Sequence, residues 1–536
     1  MCAIIGANFD FDYDNSLSHR GPDNLGEYKD NYLSLFHNRL SIIDLKTHSN
    51  QPFFYKDYIL VFNGEIYNYI ELKKELKEYN FKTTSDTEVL LYAYDKWGKE
   101  CLNRFNGDFA FCIYNKKTKK LFCARDRVGN KPFYYYFNSK KFIFASEIKA
   151  LKNYITQFNI QKLGDAILFS INDNDEHTIY KNIYNLKPSH YLEFDLKSNK
   201  LKTKQWYFLP KRKIKTPYEE FEYLIKDAIK IRLRSDVKIA NMLSGGIDSS
   251  IIAYYMQNYP QYSVIYNEVS EKKYIKLMQK RYNLDINYLY PPLNIDIKKL
   301  MYIQEDIFRS LSIYAEYYLF SKANTKVMLS GQGADEIFGG YYHHIARFIL
   351  DKKMFKQRLK LYKNQALEEL KIGIKFVLSN KYKKTLLKED NLQNLKQLKN
   401  ILNEYKPNWD LLLEKFDKNI NKTLKKEVFS LNLSKELRQQ DKNSMYFSIE
   451  NRTPFTDYRI IEFGLNLDKK YKFKGYSKFF LRQFAKKFLP KEIVFRLDKQ
   501  GFEVPELKLM KQFNLKSLFE FRVYQYFILK DLFVNN

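Results

Sequence analysis

The sequence predicts two domains in series, a mostly antiparallel β domain with a few helices up to about residue 205 and then a doubly wound α/β domain. Three observations predict it. Short runs rich in Val, Ile, Phe and Tyr recur through the first part, punctuated by Gly, Asn, Asp and Lys. Beyond Pro217, apolar strands alternate with amphipathic helices, the order that builds a parallel sheet covered by helices. A chain of 536 residues with 45% hydrophobic and 17% aromatic residues is globular and too long for one core.

In chain order, strands are expected in NYLSLFHNRLSII, DYILVFNGEIY, DFAFCIYNK, KLFCARD, KPFYYYFN and KFIFAS. YIELKKELKEY is a helix, because Ile70, Leu72, Leu76 and Tyr79 recur near helical spacing. Two prolines and a charge run make 208–217 a linker between a domain of residues 1–207 and one of 218–536. Thr216-Pro217 opens a helix with acidic residues in its first turn. VKIANML, SSIIAYYMQNY, YSVIYN, EKKYIKLMQKRY and KVMLS then alternate strand and helix. Residues 345–430 are Lys/Leu-rich helical sequence without a legible motif, and no repeat is present.

Lys and Arg number 91 against 62 Asp and Glu, a formal +29. The lysines are scattered and no nucleic-acid module accompanies them, so nucleic acid is not an expected partner. Four cysteines without C-x-x-C spacing form neither a disulfide framework nor a zinc site. Without a signal segment or an apolar stretch of roughly eighteen residues, no membrane span is expected and the chain is read as cytoplasmic. Its partners are small-molecule substrates, and a homodimer stays open.

Chemistry starts at MCAIIGANFD. Once Met1 is removed, the α-amine of Cys2 is placed to act as base for its own thiol. SHRGPD (18–23), HNRLSIID (37–44), FNGEIYNY (62–69), SDTEV (85–89) and RDRVGNKPFYY (125–135) follow in order. Together they resemble the class II glutamine amidotransferase domain. That resemblance implies an α+β N-terminal-nucleophile sandwich, layered αββα, in which Cys2 hydrolyses glutamine to ammonia. It also implies that Asn63 and Gly64 donate to the oxyanion, Arg39 holds the glutamine carboxylate, and Glu65 and Asp86 hold its ammonium. Two departures stand out: the segment between Asn8 and Ser18 is short, and Ala3 occupies a position where Gly is common.

VKIANMLSGGIDSSIIAYY (237–255) reads as strand, glycine loop and helix. Backbone N–H groups of such a loop cradle an anion, and the helix dipole assists. It lacks the Walker spacing and matches the PP-loop, which grips the pyrophosphate of ATP. VMLSGQGADEIFGGYYHH (327–344) ends a second strand and carries Asp335, which with Asp248 suits Mg²⁺ beside phosphate oxygens. DKNSMYFSIENRTPF (441–455), KGYSKFFLR (474–482) and RLDKQGFEVP (496–505) complete the order. This series resembles the synthetase domain of glutamine-dependent asparagine synthetase, a doubly wound PP-loop ATP-pyrophosphatase fold. By that resemblance Ser244, Gly245, Gly246, Asp248 and Ser249 bind ATP phosphates. Leu243, Ser330 and Gly331 lie at the nucleotide, and Lys478 stabilises charge on the phosphates and the adenylate.

The resemblance implies an enzyme using ATP and Mg²⁺ that adenylates aspartate, after which ammonia displaces AMP to give asparagine. An internal ammonia passage is expected, since free ammonia protonates in water. Gln332 stands where several asparagine synthetases carry Glu, which points to an alternative acceptor such as a sugar acid of surface polysaccharide. A neutral amide cannot serve as a general base. A third alternative, a basic nucleic-acid or membrane-surface partner on a degenerate scaffold, is opposed by intact Cys2, Arg39, Asn63, Asp86, Asp248, Asp335 and Lys478.

Overall fold

A computed structural model describes residues 2–267, 271–350, 352–361, 363–378, 380–414, 417, 419–497 and 504–535. The first twelve strands are β1 (Ala3–Ala7), β2 (Asn24–Lys29), β3 (Ser34–Arg39), β4 (Phe53–Tyr55), β5 (Tyr58–Ile66), β6 (Gly107–Asn115), β7 (Lys120–Arg125), β8 (Tyr134–Phe137), β9 (Phe142–Ala145), β10 (Ile183–Asn185), β11 (His190–Asp195) and β12 (Lys200–Gln205). They form two antiparallel sheets, ordered β10-β8-β9-β1-β3-β2 and β12-β11-β7-β6-β5-β4.

Side chains alternate across a strand, and here both faces are buried. Ile4 and Phe144 of the first sheet share a core with Val61, Ala110 and Leu192 of the second. On the other face of β1, Ala3, Ile5 and Ala7 pack with Leu163 and Ile167 of the helix Ile160–Phe169. Phe62, Phe109 and Phe111 of the second sheet cover Val89, Leu90 and Ala93 of the helix Asp86–Trp97. The layers therefore run αββα, an N-terminal-nucleophile sandwich.

The second half holds five parallel strands, β13 (Ile239–Met242), β14 (Gln261–Val264), β15 (Ile286–Leu289), β16 (Val327–Leu329) and β17 (Glu450–Arg452), ordered β15-β14-β13-β16-β17. Helices cover both faces. Phe221, Ile225 and Ile229 of the helix Pro217–Arg232 pack with Ile251 and Phe480 on one side, and Leu319 and Phe320 lie against Met328 on the other. Strand order reverses at β13, so the loops leaving β13 and β16 face one crevice, where ligands of such sheets bind. The described part of 345–430 is helical, as its composition predicts. Among the described residues no helix is long and apolar enough to cross a membrane.

Charges are buried where the halves meet. Arg20 Nη1 lies 2.6 Å from Glu147 and 2.9 Å from Asp441. Lys149 pairs with Glu147 and, at 3.3 Å, with Glu305. Glu305 also pairs with Lys442 and accepts the Ile148 and Lys149 N–H groups. Removing one partner from such a group leaves an uncompensated ion in low dielectric, at about 3–5 kcal/mol. Glu305→Ala is therefore expected to lower unfolding stability by about 3–5 kcal/mol in urea titration; an unchanged midpoint would contradict this account of the seam.

Candidate functional site

Cys2 precedes β1, in the middle of the first sheet, and is 7% exposed. Its N–H donates to Asn63 Oδ1 at 3.1 Å, so the nucleophile candidate and a residue of the opposite sheet meet directly. That bond aims the other end of the Asn63 amide: Nδ2 is buried and makes no hydrogen bond. Gly64 adopts φ +147°, and a Cβ there would lie 2.1 Å from the Asp108 carbonyl oxygen, so only glycine fits.

Glu65 follows on the same strand, 4% exposed, with Oε2 lacking a hydrogen-bond partner. Asp86 opens the helix Asp86–Trp97 and accepts the Ile66 N–H at 2.8 Å. Burial pushes both carboxyls up, Asp86 to about 6, and for Glu65 the charges of Asp86 and Glu450 add to the effect. Arg39 spends three guanidinium protons on the carbonyls of Asp44 and Lys46 and on Asn50, which leaves two of its five. Burial raises the Cys2 thiol, opposed first by the charge of the amino terminus and then by a bond from Leu40 and the charge of Arg39. The short segment after Asn8 still closes one flank, because Phe11 and Tyr13 pack on Phe36 and Tyr13 bonds Asn38.

Buried polar atoms without partners cost about 1–3 kcal/mol each. Asn63 Nδ2 and Glu65 Oε2 are therefore two buried polar groups near the thiol that a polar ligand could satisfy.

The second constellation sits at the crevice of the parallel sheet. Ser244, Gly245 and Gly246 link β13 to the helix Ile247–Tyr255, with Gly245 at φ +73°. Ser249 Oγ accepts the Ser244 N–H at 3.2 Å and donates to the Gly246 carbonyl at 3.1 Å, which fixes the loop. Gly331 packs against it, since a Cβ there would lie 3.0 Å from both Asp248 Cβ and Ser249 N. Ser330 donates through Oγ to Gln440 at 3.0 Å and through N–H to the Arg452 carbonyl at 2.9 Å. Leu243 is a core residue whose N–H and C=O are both taken by β14. Gln332 is half-buried on the same loop as Gly331.

Lys478, 4% exposed, brings the distant segments together: Nζ lies 2.6 Å from Asp248 and 2.7 Å from Asp335. Burial works against its charge, but the two carboxylates outweigh it and hold the ammonium above its ordinary range. Arg496 pairs with Glu271 beside the loop, its Nη1 3.4 Å from the Gly245 carbonyl. The 498–503 part of RLDKQGFEVP lies outside the described residues.

Among the described residues, two side-chain sets offer metal ligands. The Asp248–Asp335 pair supplies hard oxygens. His343, His344 and Glu427 lie with ligand atoms within 4.8 Å of one another. There the Tyr341 N–H points at His344 Nδ1 at 3.3 Å, which leaves Nε2–H to donate to Glu427, so this set is satisfied as hydrogen bonds.

Sequence reading missed two residues at the first pocket. Arg452 and Glu450 come from β17 of the other half, and Arg452 Nη2 lies 3.6 Å from Glu65. Their segment, DKNSMYFSIENRTPF, is legible as a motif, but nothing local in it points back to residue 65.

A sequence profile described as "Glutamine amidotransferase domain" matches residues 1–207, and one described as "Asparagine synthase" matches residues 220–523. Glutamine-hydrolysing asparagine synthetase 1 of Bacillus subtilis is 31% identical over 529 residues, covering 91% of this chain and 82% of that protein. Asparagine synthetase 3 of the same organism is 28% identical over 531 residues, covering 90% and 82%. A putative asparagine synthetase 2 of Methanocaldococcus jannaschii is 35% identical over 376 residues, covering 63% and 73%.

With the thiol raised by burial, alkylation of Cys2 followed by mass spectrometry is expected to climb about tenfold per pH unit from 7 to 9. A plateau below pH 8 would show an already ionised thiolate.

Proposed function

Because the chain belongs to the glutamine-hydrolysing asparagine synthetase family, we propose that it makes asparagine, taking nitrogen from glutamine and activating aspartate with ATP. The observation that carries the first half is the pair of buried, unpartnered atoms near Cys2, Asn63 Nδ2 and Glu65 Oε2. The amino-acid end of glutamine sits between Arg39, whose remaining protons meet the carboxylate, and Glu65 with Asp86, which take the ammonium. The Cys2 thiolate then attacks the side-chain amide carbon. Asn63 Nδ2 and the Gly64 N–H receive the oxyanion, each such donor being worth roughly 3–4 kcal/mol. Collapse releases ammonia, and water frees glutamate from the thioester.

In the second half, the loop from Ser244 to Ser249 holds the ATP phosphates, with Ser330 and Gly331 closing the nucleotide side. An aspartate carboxylate oxygen attacks the α-phosphorus and pyrophosphate leaves. Lys478 balances the negative charge that develops there. Asp248 and Asp335, two carboxylates flanking one ammonium, fit the few-carboxylate environment that Mg²⁺ shares with phosphates. When bound, Mg²⁺ supplies charge neutralisation for the departing pyrophosphate. Ammonia attacks the acyl carbon, and AMP departs.

The relatives' names support aspartate as acceptor. Gln332 favours a second reading, amidation of another carboxylate such as a sugar acid, because a neutral side chain there supplies no base. Pyrophosphate release with ATP, Mg²⁺ and glutamine separates the two: strong dependence on aspartate with asparagine formed supports the first, and glutamine hydrolysis indifferent to aspartate supports the second.

Two variants divide the halves. Cys2→Ala is expected to abolish glutamine-dependent amide formation and keep the ammonia-dependent reaction; retained glutamine use would overturn the assignment of the first half. At Gly340 a Cβ would lie 1.6 Å from Asp335 Oδ1 and 2.2 Å from Lys478 Cε. Gly340→Ala is therefore expected to displace that pair and cost roughly 100-fold in amide formation, with glutamine hydrolysis unchanged. Equal loss of both activities would point to global unfolding.

A further inference from the structure

The residues around Cys2 and Glu65 lie against the second half. Arg452 is fully buried on β17, and its guanidinium is held from three sides: Nη1 donates to the carbonyls of Arg232 at 2.6 Å and Arg234 at 2.7 Å, and Nε donates to Glu450. This clamp leaves Nη2, which makes no hydrogen bond, 3.6 Å from Glu65 Oε1. The gap is too long for a hydrogen bond and short enough for a strong charge interaction in a dry site. The Arg452 carbonyl meanwhile accepts the Ser330 N–H at 2.9 Å, so one residue touches both constellations.

We propose that Arg452 and Glu450, contributed by the synthetase half, are positioning residues of the glutamine site, holding the Glu65 carboxylate in the charge state and place that receive the substrate ammonium. This rests on the reading of Glu65 and Asp86 as the ammonium site. The ion pair does what a lone arginine would not. Unaccompanied, Arg452 would close on Glu65 and compete with the substrate; bonded to Glu450 and two carbonyls, it stays one step back. The glutaminase pocket is thus completed only by a strand of the other domain.

Sign and direction follow from the surroundings of Glu65. Facing it are Asp86 from the helix Asp86–Trp97, Glu450 and Arg452 from β17, Cys2 with the nearby amino terminus, and Tyr69 further along its own chain. Burial, Asp86 and Glu450 raise the Glu65 carboxyl, and Arg452 opposes them. Despite its own burial, Glu450 is held down to about 2 by Arg452 and so stays charged. An ammonium binds the ionised carboxylate, so kcat/KM for glutamine rises with pH through this group.

In the full-length protein, Arg452→Gln is expected to move that acidic limb up by about one pH unit. Glu450→Gln is expected to move it down, and Arg452→Lys to leave it near wild type. Ammonia-dependent amide formation bypasses residue 65 and is expected to keep the shape of its own pH profile in all three, which also reports folding. Coincident limbs in both Gln variants, or an ammonia profile that moves in step with the glutamine one, would overturn the proposal. A wild-type protein without Cys2-dependent glutamine hydrolysis would sink the underlying reading instead.

Discussion

The buried charges between the two halves fix how the domains sit against each other. Arg20, Lys149 and Lys442 face Glu147, Glu305 and Asp441 with almost no solvent. Desolvating an ion is so costly that Arg20 and Lys149, already paired with Glu147 on their own half, are also answered across the seam by Asp441 and Glu305. The seam therefore fixes the relative position of the domains more sharply than apolar contact, which is indifferent to small slides. Arg20 extends this directly to chemistry: Nη1 serves the seam, and Nε donates to the Cys2 carbonyl at 3.1 Å.

The helix Leu433–Met445 is the shared beam. Asp441 and Lys442 enter the seam from it, and one residue earlier Gln440 bonds Ser330 and Asn451. The loop that follows β16 is thereby tied to the same helix that answers Arg20. The two constellations share supports, although they lie on different sheets with unrelated topologies.

Local chemistry was legible in the sequence, and convergence was not. Cys2, Asn63 and Gly64 gain meaning in the sequence only from the ordered motifs around them, whereas the glycine loop is legible from its own setting of strand, turn and helix. Lys478 had only its motif to recommend it until folding put it between Asp248 and Asp335. Arg452 could not be read at all, since its meaning lies in a carboxylate on another domain. The helix Asp86–Trp97 was missed despite a usable signal: Ser85 followed three residues later by Glu88 is a capping pattern, and the Ser85 side chain does accept the Thr87 N–H at 3.1 Å. In YIELKKELKEY the regular helix stops at Glu75, where periodicity alone extended it to Tyr79. Short strands such as β10 and β17, three residues each, carry too little pattern to be seen without their neighbours.

The ionic seam also bears on how such a chain can be recombined. A profile boundary near residue 207 invites the grafting of one relative's first half onto another's second. Apolar surfaces forgive such grafts by repacking, often at less than about 1.5 kcal/mol per swap. Buried ions do not, because a missing counter-charge cannot be improvised by a neighbouring methylene. The heritable unit is therefore the matched set of both faces, and shuffled halves keep the full ionic seam only when Arg20, Glu147 and Lys149 arrive with Glu305, Asp441 and Lys442.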